Sequence, residues 1–176
     1  MKTENPETVE PTTPRLTPSR GNTPQAPGGI RLQELLIPLD LSAMSFKALQ
    51  YAVSFARQYG ARLTLLHVIE PMTIATELSA PAVPTPEEKA ALEKELGEIR
   101  ETRIPQEVAV DTVVRYDFAA DAILNAAREF ESDLIIIATH GRTGLKHLVM
   151  GSTAEKVVRT ASCPVLVVRE TERDFV

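Results

Sequence analysis

The chain of 176 residues has one cysteine, no tryptophan and few aromatic residues. With Cys163 alone, no intrachain disulfide can form, which fits a reducing compartment. No apolar run approaches the roughly 18–20 residues that a transmembrane helix needs. Basic residues are not in excess either, because the net charge is −5. We therefore expect no membrane partner and no broad electrostatic binding of nucleic acid.

The composition that remains is that of a globular protein, with 43% hydrophobic and 24% charged residues. Residues 1–29 differ because they are rich in Pro, Thr and Glu and contain few large aliphatic side chains. Such a segment buries too little apolar surface to offset the entropy of ordering. It also lacks the apolar centre of a secretory signal. We expect a disordered tail over residues 1–29, one folded domain over residues 30–176, and a cytoplasmic protein.

Strand and helix patterns alternate along the folded part. The predicted strands lie in the segments "LQELLIPLD", "RLTLLHVIE", "EVAVDTVVRY", "DLIIIA" and "PVLVVRE". Helical spacing separates them, with Gly60 placed to end the first helix. Thr85, Pro86 and Glu88 form a capping box with proline at the first helical position, and that helix runs to about Glu101.

This βαβαβαβαβ order predicts an α/β fold: a doubly wound, five-stranded parallel sheet of the Rossmann-like or flavodoxin-like kind. The expected strand order is 3-2-1-4-5. In open parallel sheets, ligands bind beyond the carboxyl ends of the strands, near the point where the strand order reverses. Asp40 follows the first strand, and the segment "ATHGRTGLKHLVMGST" begins at the end of the fourth.

That segment has the features of an anion-binding loop. Gly151 leaves the backbone uncovered just before a helix whose first N–H groups attract negative charge. Gly141 lies at the other end of the loop, and Arg142 and Lys146 add positive charge. The alternative is a purely structural connection, in which Ser152 and Glu155 form a capping box and Ala154, Val157, Val158 and Ala161 form the buried face of the helix. Neither GxxxxGK[ST] nor GxGxxG is present.

Four other positions could have a structural or a functional role. Asp40 either accepts hydrogen bonds from a ribose or an adenine amino group, or caps the first helix, a role that Ser42 could also fill. His140 is expected to hydrogen-bond within its loop, and His67 to pack in the core or at a strand end. Cys163 is expected to act as a small buried hydrophobe. The histidines lack metal-ligand spacing.

Taken together, these segments resemble the universal stress protein family over about Gln33 to Arg169. The first strand with Pro-x-Asp, the second strand ending in His-Val, and the last loop, helix and strand all match the family pattern. The family's nucleotide motif reads Gly-x2-Gly-x9-Gly-(Ser/Thr). Gly141, Gly151 and Ser152 match it, whereas Ala138 replaces the first glycine.

The resemblance implies an ATP site, with Mg²⁺ or Mn²⁺ bound through the phosphates. The residues that it assigns to the adenosine are Pro38, Leu39, Asp40 and Val68. Those that it assigns to the ribose and phosphates are Ala138, His140, Gly141, Arg142, Gly151, Ser152 and Thr153. It also implies a homodimer formed through the last strand, from Pro164 to Arg169, whose apolar edge needs covering.

Two functions follow from the sequence. The first is an ATP-binding stress-response switch with at most slow hydrolysis, since no residue is a convincing general base. The second is a dimeric interaction module of the same fold that does not bind nucleotide tightly, as Ala138 and the long tail suggest. A flavin protein would fit the fold, but a chain without tryptophan offers no obvious flavin sandwich.

Overall fold

The computed structural model describes residues 29–71, 83–140 and 150–170. The predicted tail lies outside the described residues, apart from Gly29. The helices and strands within these ranges are β1 (Glu34–Pro38), α1 (Ala43–Tyr59), β2 (Arg62–Ile69), α2 (Pro86–Arg103), β3 (Val110–Tyr116), α3 (Ala119–Glu129), β4 (Leu134–Ala138), α4 (Ser152–Thr160) and β5 (Val165–Val168). None of the helices in these ranges combines the length and apolar character needed to cross a bilayer.

The five strands form one parallel sheet in the order β3-β2-β1-β4-β5, which confirms the predicted fold and strand order. One apolar cluster joins the sheet to α1 and α2, and a second joins it to α3 and α4. Because both faces are covered, the central strands are apolar at nearly every position, as the continuous runs in the sequence predicted. β1 lies at the centre, with Leu35, Leu36 and Ile37 fully buried.

The predicted helix ends are confirmed for α1 and α2. Gly60 ends α1 in the left-handed conformation, with φ 65°. The Thr85 hydroxyl accepts from Glu88 N while the Glu88 carboxylate accepts from Thr85 N, so the capping box is complete. α2 continues to Arg103, slightly beyond the predicted end. Of its 18 residues, only Leu96 and Ile99 are buried, so α2 is anchored mainly through its second half.

The predicted capping box of α4 is wrong. Gly151, not Ser152, is the N-cap: it is extended, with φ −70° and ψ 154°, and its carbonyl accepts from Glu155 N at 2.9 Å. Ser152 is therefore already helical, and the N-cap, a glycine, has no side chain to cap this terminus. Glu155 instead forms an ion pair with Arg159 one turn later.

The buried face of α4 is also narrower than predicted. Ala154 and Val157 are buried, and Ala161 packs against the same cluster. Val158 is 45% exposed, which contradicts its assignment to the buried face. Its position one residue after Val157 turns it about 100° away from the centre of the packed stripe.

Candidate functional site

A cavity of about 490 Å³ lies at the carboxyl edge of the sheet. The ends of β1, β2 and β4 form its floor, and residues from the beginnings of α3 and α4 complete its wall. This is the position where the strand order reverses between β1 and β4, which is where open parallel sheets bind ligands. Its volume is within the range of small-molecule sites, about 300–1,000 Å³.

The cavity brings together every predicted site residue that the structure describes. They are Pro38, Leu39, Asp40, Val68, Ala138, His140, Gly151, Ser152 and Thr153. Gly141 and Arg142 lie outside the described residues. Residues separated by more than 100 positions in the chain, such as Asp40 and Gly151, thus share one cavity because parallel strands end at the same edge of the sheet.

Asp40 is positioned by a tight turn into α1. Its Oδ1 accepts from Ser42 N at 3.1 Å and from Ser42 Oγ at 2.6 Å. Ser42, in turn, is the N-cap of α1 and accepts from Ser45 N. Of the two alternatives for Asp40, helix capping is therefore wrong. Leu41, between the two, has φ 65°, an unfavourable value for a residue with a β-carbon.

Gly151 is held close to the end of β4. Its N–H donates to the Thr139 carbonyl at 2.8 Å, and a β-carbon at position 151 would lie 3.1 Å from the same oxygen. The absence of a side chain therefore allows the helix terminus to approach the strand. Thr139 is 2% exposed, and its N–H donates to Val168 O at 2.9 Å. Thr139 thus links β4, β5 and the beginning of α4.

Three helix N-termini border the cavity, and they differ in how their N–H groups are satisfied. At α1 the Ser42 hydroxyl accepts from Ser45 N at 3.2 Å. At α3 the Glu70 carboxylate accepts from Ala119 N at 2.9 Å. At α4 the N-cap is Gly151, which has no side chain that could accept from the first turn. The positive end of the helix dipole at α4 is consequently available to an anion, whereas Glu70 already places a negative charge at α3.

Both described histidines at the cavity are engaged in hydrogen bonds. His67 is 6% exposed, and its Nδ1 lies 2.7 Å from the Leu39 carbonyl, so that nitrogen carries the proton and donates. This confirms the expected strand-end packing of His67 and gives it a defined partner. Nδ1 of His140 lies 3.0 Å from Thr139 Oγ1, which confirms the local hydrogen bonding expected of His140.

Ala138 occupies the end of β4, paired with Val168. Among the described residues other than glycine, positive φ values are found at Leu41 and Glu131 and not at Ala138. An alanine is therefore compatible with the backbone where the family motif has glycine. Its half-buried methyl group packs against the cluster beneath α1.

Sequence reasoning missed several residues of the cavity wall. These are Ser45, Ile69, Glu70, Leu92, Ala119, Ile123 and Thr139, among others. Thr139 had a usable signal, since it is a polar residue directly after a buried strand and next to His140. Leu92 and Ala119 had no such signal, because their position at the cavity depends on how α2 and α3 cross the sheet.

The described residues include no cluster of three or more His, Cys, Asp or Glu side chains that could hold a metal ion. Cys163 lies away from the cavity, half-buried beside the cluster under α3 and α4. Burial, with a smaller contribution from the charge of Asp133, raises the pKa of its thiol. This makes Cys163 less reactive than a free thiol at neutral pH.

A profile of the Universal stress protein family matches residues 32–169. The chain belongs to this family. A universal stress protein of Bacillus subtilis is 33% identical over 145 residues, covering 77% of this chain and 98% of that protein. The solved universal stress protein UspA from Lactobacillus plantarum has a TM-score of 0.67 and 26% identity, covering 80% of this chain and all of that one.

Two more distant universal stress proteins share the fold and were solved with nucleotides. One is in complex with cAMP, with a TM-score of 0.55 and 20% identity over 80% of this chain and 98% of that one. The other, from Archaeoglobus fulgidus, is in complex with dAMP, with a TM-score of 0.54 and 18% identity over 80% of this chain and 99% of that one.

Proposed function

We propose that this protein binds an adenine nucleotide, ATP with Mg²⁺, at the carboxyl edge of its sheet and serves as a cytoplasmic stress-response switch. The observation that carries the proposal is the cavity between the ends of β1 and β4, which is lined by Asp40 and by the N-terminus of α4 with its glycine N-cap. The nucleotides in the two distant family structures support the choice of adenine.

The phosphates belong at the N-terminus of α4. The N-cap, Gly151, has no side chain that could accept from the N–H groups of the first turn, so these groups and the positive end of the helix dipole can attract a phosphate. The N-termini of α1 and α3 are less suitable, because the carboxylates of Asp40 and Glu70 lie there and would repel a phosphate. Ser152 and Thr153, at the beginning of α4, would contribute backbone N–H groups and hydroxyls to the phosphates.

The adenosine then extends toward β1 and β2. Pro38, Leu39 and Val68 offer apolar surface and backbone groups at these strand ends. Asp40 supplies a carboxylate that can accept a hydrogen bond from a ribose hydroxyl or an amino group. Mg²⁺ would be held through the phosphates, whose charge it would reduce, since the described residues provide no carboxylate cluster for it.

At most slow hydrolysis is expected. A general base must lie within hydrogen-bond reach of the attacking water. Among the described residues around the cavity, the carboxylates and imidazoles all have hydrogen-bond partners within the protein. These pairs are Asp40 with Ser42, Glu70 with Ala119, His67 with Leu39, and His140 with Thr139. A protein that retains its nucleotide is better suited to switching than to turnover.

The homodimer remains part of the proposal. β5 is the edge strand beside β4, and Val165, Leu166 and Val167 are only half-buried. Pairing with the same strand of a second copy would cover this apolar edge. The same observation favours the second candidate function, a dimeric interaction module that does not depend on nucleotide.

Calorimetric titration with ATP, with and without Mg²⁺, tests the proposal once copurifying nucleotide has been extracted. We expect micromolar or tighter binding that falls at least about tenfold in Asp40→Ala, because a hydrogen bond to a charged group is worth about 1.5–3 kcal/mol. Glu95→Ala is the matched control, since Glu95 is exposed on α2 and does not line the cavity. Absence of ATP binding by the unchanged protein would leave the interaction module as the better function.

A further inference from the structure

We infer that His67 is a positioning residue for Asp40, acting through the backbone of Leu39. The inference rests on the proposed function, because the effect of positioning Asp40 is measured as a change in affinity for the nucleotide. His67 belongs to β2, whereas Asp40 follows β1, so the connection runs between neighbouring strands and not along the chain.

Both backbone polar groups of Leu39, the residue before Asp40, are hydrogen-bonded to β2. Leu39 N donates to Leu66 O at 2.8 Å, and Leu39 O accepts from His67 Nδ1 at 2.7 Å. Both partners are consecutive residues of β2. The regular ladder between the two strands ends at Pro38 paired with Leu66, so the imidazole extends the connection one residue beyond the ladder.

The turn that follows needs such support. Leu41 has φ 65°, and the bonds from Ser42 to the Asp40 carboxylate hold the far side of the turn. A residue with a β-carbon remains in this conformation only where its surroundings impose it. Without the bond from His67, the Leu39 carbonyl loses its partner while Leu39 N stays bonded to Leu66 O. The peptide between Leu39 and Asp40 can then tilt, which would change the direction of the Asp40 carboxylate relative to the cavity.

The burial of His67 protects its hydrogen bond to Leu39 from competition by water. At 6% exposure, little water can replace the imidazole at the Leu39 carbonyl. The carbonyl can only accept, so Nδ1 must carry the proton and one tautomer is selected. His67 also lines the cavity, but its Nδ1 is bonded to the Leu39 carbonyl, so the inferred action on the ligand runs through Leu39 and Asp40.

A double-mutant cycle with ATP as the probe tests the inference. His67→Leu removes the donor while keeping an apolar side chain, and we expect it to weaken ATP binding about tenfold. In the Asp40→Ala background the same change should alter affinity less than about twofold, because the group being positioned is absent. His67→Asn, whose amide nitrogen can stand near the position of Nδ1, should restore most of the affinity.

The outcomes separate the two proposals. If the unchanged protein does not bind ATP, both the proposed function and this inference are wrong. If it binds ATP but His67→Leu weakens binding equally in both backgrounds, or His67→Asn restores nothing, the positioning role alone is refuted. Where thermal unfolding shows that His67→Leu does not fold, His67→Gln takes its place, since its amide reaches the position of Nε2 and leaves the Leu39 bond unmade.

Discussion

Restoring the glycine of the family motif at position 138 tests whether the methyl group of Ala138 obstructs the nucleotide. Ala138 is paired with Val168 at the end of β4, and its φ is not in the left-handed region. Its methyl group is half-buried against the cluster beneath α1. Both observations indicate that alanine suits the strand, so Ala138→Gly should lower stability without improving binding.

The expected cost is about 1 kcal/mol, from the extra backbone entropy of glycine in a strand and the loss of a partly buried methyl group. For a chain of this size, the melting temperature should fall by about 2–4 °C, as measured by thermal unfolding without nucleotide. The dissociation constant for ATP, measured by calorimetry, should stay within about threefold of the parent value. Tenfold tighter binding would refute the reasoning, because it would show that the methyl group crowds the ligand.

Three further predictions concern the cavity, the edge strand and the thiol. Glu70→Gln keeps an acceptor for Ala119 N but removes a charge, so ATP affinity at low salt should rise about twofold to threefold and the gain should vanish at high salt; unchanged affinity at low salt would contradict this. Ile135 N donates to Pro164 O and Thr139 N donates to Val168 O, so alternate residues of β5 bond to β4 and the N–H of Val167 points away from it. Val167→Pro removes this outward N–H and should yield a monomer by light scattering. A dimer that persists would argue against pairing through β5. The pKa of the Cys163 thiol is raised by burial, so its alkylation by iodoacetamide should reach half its maximal rate at a higher pH than that of a free thiol, and an equal or lower midpoint would contradict this.

The fold was predictable because the signals that determine it are local. Continuous apolar runs identified strands covered on both faces, and the alternation of strands and helices implied the parallel sheet. Gly60 and the box of Thr85 and Glu88 depend only on residues within one or two turns, and both were confirmed. The carboxyl edge of the sheet could be located in the same way.

The features that were predicted wrongly or missed depend on contacts between segments that are distant in the sequence. Ser152 followed by Glu155 has the pattern of a capping box, but the bond from Gly151 N to Thr139 O fixes an extended residue one position earlier. The bond from His67 to Leu39 and that from Ala119 to Glu70 join residues 28 and 49 positions apart. No pattern within a short stretch of sequence predicts hydrogen bonds between such distant residues. The roles of Gly141 and Arg142 stay predictions.

The shallow burial of α2 has a consequence for the kinetics of ligand exchange. Leu92 lines the cavity from the first half of this helix, whereas its two buried residues lie in the second half. The first turns can therefore unravel at a small fraction of the free energy needed to unfold the sheet. One wall of the cavity can open while the strands that hold Asp40 and Gly151 remain intact. Amide hydrogens there should exchange faster than those of β1, and a ligand could leave by that route without global unfolding.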